Sequence, residues 1–481
     1  MSKKNISRRS FMAQSSGALA AAGVSLETRA RAAEPATIHQ ATGTRVGEVT
    51  SDSAIVWTRL TSNTERNNNG RNFKRGEQAT ADEPVEKMEG ACPGMAGRIR
   101  LRYGPREDLG GATATDWFDV NEGGDFIHQF QLRDLKPGTA YYYASETSGP
   151  GGTPMHAPFR GRFETAPTQD TPTDLRFCVM TCQGYPDRGH ADGHPIYPSM
   201  SALKPAFGVL TGDLVYYDND APRAITPRLA RYHWERMFSL PRLRDFTRNF
   251  STYWLKDDHD TLSNDSWAGK KLGELTFAEG QQIFRQQAPL ADGPCYRTFR
   301  WGRDLQIWFT DGRDYRSPNS MKDGPGKTIW GAEQKAWFKR TVKDSNAAWK
   351  ILVSPTPLVG PDRKNKNDNH ANAGFQTEGD EIRGWLKDNV PDNFFVVCGD
   401  RHWQFHSVHP GTGLNEFSVG AASDAHSGGT PGEDKTIHRF HRAKGGGFLS
   451  ITVRPEGKGS TIRFDLRDVN GNIVYGWSPR T

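Results

Sequence analysis

An apolar stretch that ends in a cluster of acidic residues and a histidine constrains this fold more than any other feature of the chain. Residues 253–255 are apolar, and residues 256–260 read Lys-Asp-Asp-His-Asp. Apolar runs also end in Thr-Gly-Asp at residues 211–213, in Thr-Asp at residues 310–311 and in Gly-Asp-Arg-His at residues 399–402. Buried strands of α/β folds are apolar, and ligands bind at their carboxyl ends. The pattern therefore predicts a metal site at one edge of a sheet.

Capping is the alternative explanation for these aspartates. An aspartate that follows a strand often caps a helix or a turn, and capping explains each of these residues taken singly. It does not explain three carboxylates and one imidazole in the four consecutive residues 257–260. We therefore treat the cluster as candidate metal ligands.

The first 32 residues have the features of a twin-arginine signal peptide. Arg8 and Arg9 form the arginine pair, residues 13–26 are weakly apolar, and residues 30–32 give a small-x-small cleavage pattern. We predict cleavage after Ala32, export by the twin-arginine translocation machinery, and a periplasmic or secreted mature protein. No later stretch approaches the length of a transmembrane helix, so we expect no transmembrane segment in the mature chain.

Charge and cysteine content limit the classes of function. The whole chain has a formal net charge of +6, and the leader's six basic residues and single glutamate account for +5 of it. The mature chain is therefore close to neutral, at about +1, and we find no clustered basic face of the kind that binds nucleic acid. The chain has five cysteines, so an exported form keeps at least one thiol free or metal-bound.

Two domains are predicted after the leader. Residues 33–165 are interpreted as an all-β sandwich of the fibronectin III-like kind, because alternating strands precede a Leu-x-Pro-Gly-Thr turn at 135–139 and a tyrosine-rich strand. Within this domain, residues 61–95 are polar and rich in Gly, Asn and Glu, which favours a long exposed loop. Residues 164–173 have the composition of a linker.

The second domain is predicted to span residues 175–481, where apolar strands alternate with helical segments. Thr226 and Pro227 form an N-cap and N1 pair that opens one helix, and further helices are predicted at 332–342 and 378–389. The tail returns to antiparallel strands joined by tight turns. This order of elements predicts two packed sheets with helices outside.

Four motifs in order resemble the alkaline phosphatase D (PhoD-like) family of metallophosphoesterases. They are Thr-Cys-Gln-Gly-Tyr at 181–185, Gly-Asp-Leu-Val-Tyr at 212–216, Asp-Asp-His-Asp at 257–260 and Gly-Asp-Arg-His at 399–402. The resemblance covers nearly the whole mature chain. It implies an N-terminal all-β sandwich followed by a metallophosphoesterase-type α/β sandwich of two packed sheets flanked by helices. It also implies an exported, metal-dependent phosphohydrolase that cleaves phosphate monoesters, diesters or both.

The same resemblance implies the cofactors ferric iron (Fe3+) and calcium (Ca2+), and leaves other divalent metals open. Carried over residue by residue, it assigns iron to Cys182, Asp213, Tyr232 and Asp400, with Tyr232 chosen from its Ala-Arg-Tyr context. Calcium would share Asp213 and use Asn264. The complete set of predicted metal ligands is Cys182, Asp213, Tyr232, Asp257, Asp258, Asn264, Asp400 and His402.

Four residues are predicted to act on the substrate: His259, His402, Asp258 and Arg313. Each histidine follows an aspartate in its motif, so both side chains can approach the same phosphate. Arg313 follows a strand and offers either a bidentate contact to phosphate or an ion pair with Asp314 or another acid. Two or three cations would neutralise the phosphate oxygens and make hydroxide available near neutral pH.

Two departures from the family pattern bear on specificity. Lys256 stands where the family usually has tryptophan, and Arg401 where it has valine, so we expect added positive charge near the site. Two other functions stay open: a non-catalytic surface or polymer-binding protein that retains a structural metal site, and a hydrolase of a different ester such as sulfate. An assay of phosphate esters with and without a chelator separates the catalytic from the non-catalytic alternative.

Overall fold

A computed structural model describes residues 38–80, 82–149, 158–390 and 392–479. The predicted signal peptide, residues 1–32, lies outside the described residues, and so does the start of the predicted β-sandwich. No helix within the described ranges is both long and apolar enough to cross a bilayer.

The N-terminal part is all β, as predicted. Its strands are β1 (Thr44–Gly47), β2 (Ala54–Arg59), β3 (Gly97–Gly104), β4 (Thr113–Ala114), β5 (Phe118–Val120), β6 (Ile127–Leu132), β7 (Ala140–Ser148) and β8 (Phe159–Glu164). Two short 3-10 helices lie between them, at Val85–Lys87 and Glu122–Gly124. Buried and half-buried residues alternate along β3, as expected for a strand with one face on the core.

Strands and helices alternate in the remainder of the chain. The helices are α1 (Ile196–Ala202), α2 (Pro227–Phe238), α3 (Pro241–Asn249), α4 (Phe277–Gln287), α5 (Gly331–Lys343) and α6 (Gln376–Asn389). The strands are β9 (Leu175–Met180), β10 (Phe207–Thr211), β11 (Ser251–Leu255), β12 (Lys271–Leu272), β13 (Leu275–Thr276), β14 (Arg297–Trp301), β15 (Leu305–Phe309), β16 (Trp349–Ser354), β17 (Phe394–Cys398), β18 (Gln404–Val408), β19 (Asn415–Val419), β20 (His438–Arg442), β21 (Gly447–Glu456), β22 (Gly459–Asp468) and β23 (Ile473–Trp477). Helix α2 begins as predicted, with the Thr226 hydroxyl accepting from the backbone N–H of Leu229.

Two large sheets form the centre of the molecule. One has nine strands in the order β23-β22-β21-β9-β10-β11-β1-β2-β6, and the other has seven in the order β14-β15-β16-β17-β19-β18-β20. Strands β9, β10 and β11 are parallel, and so are β15, β16, β17 and β19. Phe177, Val209 and Tyr253 of the first sheet share one apolar cluster with Ile307 and Val397 of the second. The two sheets therefore pack against each other, which is the predicted architecture.

The N-terminal strands are continuous with the central sheet. Strand β1 pairs in parallel with β11, with Val46 opposite Ser251, and carries β2 and β6 beyond it. Strands β3, β4, β5, β7 and β8 form a separate sheet. Because hydrogen bonding crosses the boundary predicted between residues 165 and 175, that boundary stays a prediction.

The segment 61–95 differs from the exposed loop that its composition predicts. Met88, Ala91 and Cys92 are fully buried within it. Arg66 forms an ion pair of 2.8 Å with Glu89 and also contacts the hydroxyl of Tyr185. A few buried side chains thus fix a segment whose average composition is polar, and average composition does not reveal such anchors.

Candidate metal centre

Four candidate ligands share one position relative to their strands. Cys182, Asp213, Asp257 and Asp400 each lie two residues after the end of a strand, namely β9, β10, β11 and β17. Cys182, Asp213 and Asp400 have left-handed backbones, with φ of +52°, +55° and +60°. Such angles are uncommon outside glycine and persist where the surrounding structure enforces them, often at functional sites. The ends of parallel strands in both sheets therefore deliver these side chains to one place.

Asp213 lies at the centre of this place. It belongs to three groups of residues whose ligand atoms all lie within 4.8 Å of one another. The groups join Asp213 with Cys182 and His402, with Asp258 and His259, and with Asp257 and Asp400. The Cys182 thiol lies 3.4 Å from Oδ2 of Asp213. A carboxylate common to three groups suits a ligand that bridges cations.

Carboxylate oxygens without partners provide a test of whether cations fit here. Oδ1 of Asp213 and Oδ2 of Asp257 are buried without a hydrogen-bond partner in the described chain. Oδ2 of Asp400 also forms no hydrogen bond in the described chain, although it has an ion pair with the guanidinium of Arg401. Unpaired buried oxygens of this kind are costly unless a cation or donor satisfies them. The donor set therefore fits a cluster of bound cations.

The electrostatics agree with that fit. Burial raises the pKa of Asp213 well above its ordinary value, and the nearby Asp258 and Asp257 raise it further against the opposing effect of His259. Burial, together with Asp213, likewise raises the pKa of the Cys182 thiol. Ionising all of these groups in a buried site is unfavourable without added positive charge. Bound cations would lower their pKa values and favour the ionised forms.

The tyrosine assigned to the site is corrected by the structure. Tyr232 lies on α2, and its hydroxyl donates to the backbone carbonyl oxygen of Glu89 at 2.6 Å. Tyr216 occupies the expected place instead, with its hydroxyl 3.3 Å from Oδ2 of Asp213 and 3.4 Å from Nε2 of His402. Tyr216 is the last residue of the Gly-Asp-Leu-Val-Tyr motif, and its spacing of three from Asp213 is the sequence signal that identifies it.

Asn264, the predicted calcium ligand, lies at the rim of the site. It is exposed, and its backbone N–H donates to Oδ2 of Asp218 at 2.9 Å. Oδ1 of the same Asp218 lies 2.6 Å from Nδ1 of His259. Asp218 therefore links the loop of Asn264 to the cluster, and ligation by Asn264 itself stays a prediction.

Arg313 forms an ion pair with an acid, which is one of the two alternatives that the sequence left open. Its side chain is fully buried, and its Nε donates to Oδ1 of Asp257 at 2.6 Å. A terminal nitrogen of the guanidinium lies 3.7 Å from Oδ1 of Asp258. The arginine thus pairs with an acid other than Asp314 and holds the Asp-Asp pair in place, so it is a positioning residue.

Lys256 and Arg401, the two residues that depart from the family pattern, also have their positive charges paired with carboxylates inside the protein. The ammonium of Lys256 contacts Asp311 and lies 2.9 Å from Asp314. The guanidinium of Arg401 lies 2.7 Å from Asp362. Both cations are buried. They do not add the substrate-facing positive charge that the sequence led us to expect, because neighbouring carboxylates neutralise them.

His426 is a residue of the site that the sequence analysis missed. Its Nε2 lies 2.9 Å from the hydroxyl of Tyr216, and its Nδ1 lies 2.8 Å from a carboxylate oxygen of Asp187. Its ring centroid is 4.4 Å from that of His402. A carboxylate at Nδ1 favours the tautomer that leaves Nε2 as the acceptor for Tyr216. His426 lies in an irregular loop after β19, where no motif or strand end marks it.

A cleft of about 950 Å³ opens beside the cluster, and Tyr216 and His426 form part of its wall. A larger cavity of about 1400 Å³ lies elsewhere and includes Asp174, Ala206 and Phe250 in its lining. Those three residues immediately precede β9, β10 and β11, so the larger cavity lies at the opposite ends of the strands from the cluster. Ligands of α/β sheets bind at the carboxyl ends. The smaller cleft is therefore the opening of the site.

The fold and the site together define a metal-dependent phosphohydrolase of the metallophosphoesterase class. The family model described as PhoD-like phosphatase matches residues 177–445, and the model described as PhoD-like phosphatase, N-terminal domain, matches residues 23–167. The chain belongs to the PhoD-like phosphatase family. The family resemblance and the assignment as an enzyme are thus confirmed, which removes the non-catalytic alternative.

Two solved structures are similar to this chain over most of its length. The structure of PhoD is 18% identical with a TM-score of 0.70, over 91% of this chain and 88% of that one. Purple acid phosphatase PPD1 from seeds of yellow lupin (Lupinus luteus) is 12% identical with a TM-score of 0.63, over 90% of this chain and 73% of that one. At these identities the two structures show the fold, and they confirm the predicted fold class. A search of curated protein sequences finds no match.

Proposed function

We propose that this chain is an exported hydrolase of phosphate monoesters, diesters or both, with a metal cluster built on Asp213. The observation that carries the proposal is the position of Asp213, which joins three ligand groups while its Oδ1 is buried without a partner in the described chain. Family membership supports the reaction class. The twin-arginine motif and cleavage pattern of residues 1–32 support export to the periplasm or beyond.

The chemistry of the donor groups supports Fe3+ and Ca2+ in different parts of the cluster. The thiol of Cys182 and the phenol of Tyr216 both lie beside the carboxylate of Asp213, and this combination suits ferric iron. The group of Asp213, Asp257 and Asp400 offers carboxylate oxygens alone, which suits calcium or other divalent metals. Bound cations would neutralise the oxygens of a phosphate ester and make water a better nucleophile.

The surrounding residues orient the reacting groups. Asp218 occupies Nδ1 of His259, which leaves Nε2 of that ring for a phosphate oxygen or a cation. Arg313 fixes Asp257 from behind. In the reaction, water adds its oxygen to phosphorus, the ester P–O bond breaks, and the departing alcohol takes up a proton. Nε2 of His402 lies 3.4 Å from the hydroxyl of Tyr216, and its ring packs against that of His426, so we place the departing alcohol on this side of the cluster.

Hydrolysis of chromogenic esters by purified, export-processed protein tests the proposal. We expect release of the chromophore from a phosphate monoester or diester, loss of activity with a chelator, and recovery with Fe3+ and Ca2+ together. A matched sulfate ester serves as the control for ester class. Absence of phosphate-ester hydrolysis across pH with every metal supplied, or a faster reaction with the sulfate ester, would contradict it.

A further inference from the structure

The cleft beside the metal centre is much larger than a phosphate group needs. Its volume of about 950 Å³ is at the upper end of the range that holds a drug-sized ligand. Because Tyr216 and His426 belong both to its wall and to the metal centre, an ester bound at the metals has its alcohol part beside this space. The cleft is therefore placed to receive the part of the substrate that leaves.

The lining of the cleft is predominantly basic. Its charged residues are the cations Lys74, Arg75, Arg188 and Arg236 and the acids Asp187 and Asp220. Both acids have partners within the protein. Asp187 binds His426 at 2.8 Å, and Asp220 accepts from the backbone N–H of Tyr185 at 3.1 Å and lies 3.7 Å from Arg236. Lys74, Arg75 and Arg188 therefore set the electrostatic potential at the mouth of the cleft.

Two of these cations, Lys74 and Arg75, have capacity for a ligand, and Arg188 lies beside them. Lys74 and Arg75 are exposed, and their side chains make no hydrogen bond or ion pair with the described part of the chain. Arg188 donates from Nη1 to the carbonyl oxygen of Tyr185 at 2.9 Å, and its Nη2 lies 4.0 Å from Oε1 of Glu89, so its charge is partly compensated. Two exposed cations next to this arginine suit an anionic oxygen group.

The cleft is built on a rigid base. The guanidinium of Arg188 lies 4.1 Å above the ring of Tyr185, whose hydroxyl donates to Glu89 at 2.7 Å. Glu89 and Lys74 both belong to the segment 61–95, which is anchored by its buried residues. The backbone that carries Lys74 and Arg75 is therefore held beside the cluster, which gives the segment 61–95 a role in forming the cleft.

We infer that this cleft is a subsite for a second anionic group, so that the preferred substrates are phosphate esters whose alcohol part carries its own negative charge. The second group is a phosphate or a carboxylate, since the cations of Lys74, Arg75 and Arg188 recognise the charged oxygens common to both. The inference rests on the proposed function, because it specifies the substrate of that same centre.

Three esters of one chain length test the inference on the metal-loaded enzyme. They are 3-hydroxypropyl phosphate, 3-phosphonooxypropanoate and propane-1,3-diol bisphosphate, which differ in a neutral, carboxylate or phosphate far end. The measured quantity is the ratio of kcat/KM for a charged ester to that for the neutral one. We expect K74Q/R75Q to lower this ratio about three- to tenfold, as two solvent-exposed ion pairs allow. The effect should shrink as salt is added.

Lys87→Gln is the matched control, because Lys87 is an exposed lysine of the same segment that does not line the cleft. It should leave the ratio unchanged. An unchanged ratio in K74Q/R75Q overturns the inference while leaving phosphate-ester hydrolysis intact. A fall confined to the bisphosphate, or to the carboxylate ester, supports the subsite and identifies which anion it prefers.

Equilibrium binding separates failure of the subsite from failure of the proposed function. Propane-1,3-bisphosphonate cannot be hydrolysed, and calorimetry with the metal-loaded protein gives its affinity even if no ester is cleaved. Affinity about three- to tenfold lower in K74Q/R75Q than in wild type supports the subsite. Equal affinity in the two proteins overturns it.

Discussion

The hydroxyl of Tyr216 lies 3.3 Å from Oδ2 of Asp213, three residues earlier in the chain. The same hydroxyl lies 2.9 Å from Nε2 of His426. Burial raises the pKa of Tyr216 well above its ordinary value, and Asp213 and Cys182 raise it further. Deprotonation of this phenol therefore requires a compensating positive charge, which a ferric ion at Asp213 and Cys182 would supply.

The first prediction is that Tyr216, and not Tyr232, governs the colour of the iron-loaded protein. Phenolate bound to ferric iron absorbs visible light, so Tyr216→Phe should shift or abolish the band at equal iron content. Tyr232→Phe is the matched control. It removes one hydrogen bond to a backbone carbonyl, costs about 1 kcal/mol of stability, and should leave the band in place. Visible absorption spectra of the two variants decide the matter.

Loss of the band in Tyr232→Phe together with its retention in Tyr216→Phe would restore the original assignment. An active, colourless enzyme that contains zinc and no iron would remove iron from the site. It would leave the phosphohydrolase intact, because the carboxylates at the strand ends bind other cations as well.

The second prediction concerns Asp213→Asn. Asparagine tolerates the left-handed backbone at this position, so the fold should survive while the bridging charge is lost. We expect kcat/KM to fall by more than about 10²-fold, the upper range seen when residues that only support ligands are removed. Metal content should fall as well. Without metals the variant should be at least as stable as wild type, because burial disfavours the carboxylate. Turnover near normal with unchanged metal content would exclude Asp213 from the site.

The strand ends of this site were predictable from the sequence because their signal is local. An apolar run with a ligand two residues beyond it describes Cys182, Asp213, Asp257 and Asp400. Parallel pairing brings the ends of β9, β10 and β11 together, and packing of the second sheet adds the end of β17. The same signal also describes Asp311 after β15, which pairs with Lys256 and lies outside the ligand groups of Asp213. The prediction of Tyr232 as a ligand was wrong because its Ala-Arg-Tyr context on a helix has no fixed spacing from the other ligands. The Gly-Asp-Leu-Val-Tyr motif did carry that spacing.

Other parts of the site depend on contacts between distant residues. Lys256 is neutralised by Asp311, which lies 55 positions further along the chain, and Arg401 by Asp362. His426 reaches Tyr216 across 210 positions from a loop without regular structure. A pattern read over ten or twenty residues contains none of these pairings, so the sequence predicts the charges but not their compensation.

The third prediction follows from the burial of Arg313 against Asp257 and Asp258. Arg313→Met keeps much of the packing volume and removes the charge, which leaves buried carboxylates unpaired. The metal-free variant should lose about 3–5 kcal/mol of unfolding free energy. Metal loading should restore part of this loss, because cations replace the missing positive charge. Denaturant unfolding with and without metals measures both effects. A variant as stable as wild type whose only defect is a raised KM would return Arg313 to the phosphate-clamp role.

The fourth prediction concerns pH and a buried anchor away from the metals, Glu378 on α6. Its carboxylate accepts hydrogen bonds from Thr328, from the backbone N–H of Ile329 and, at 2.9 Å, from Nε2 of His370. Burial alone would raise the pKa of Glu378, but the bond and charge of His370 and the bonds from Thr328 and Ile329 lower it to about 2. The ionised form is therefore the one that the fold stabilises.

The pKa of Glu378 is lower in the folded than in the unfolded chain. The ionised carboxylate therefore contributes its full stabilisation at pH above the unfolded pKa, and this contribution to the unfolding free energy declines as pH falls toward 2. His370 is neutral at pH 7 because burial lowers its pKa, so the hydrogen bonds to the ionised carboxylate contribute about 1.5–3 kcal/mol there. Glu378→Gln should therefore be much less stable than wild type at pH 7, and the gap should narrow as the medium is acidified. Unfolding free energies from urea titrations at pH 7, 4.5 and 3 measure the difference between the two proteins.

Glu381→Gln is the control, a change on the same helix at a surface ion pair with Lys335 and Lys339. It should cost under about 1 kcal/mol of unfolding free energy at every pH. A gap for Glu378→Gln that stays constant between pH 7 and 3 would show that the loss comes from packing and not from the ionised carboxylate.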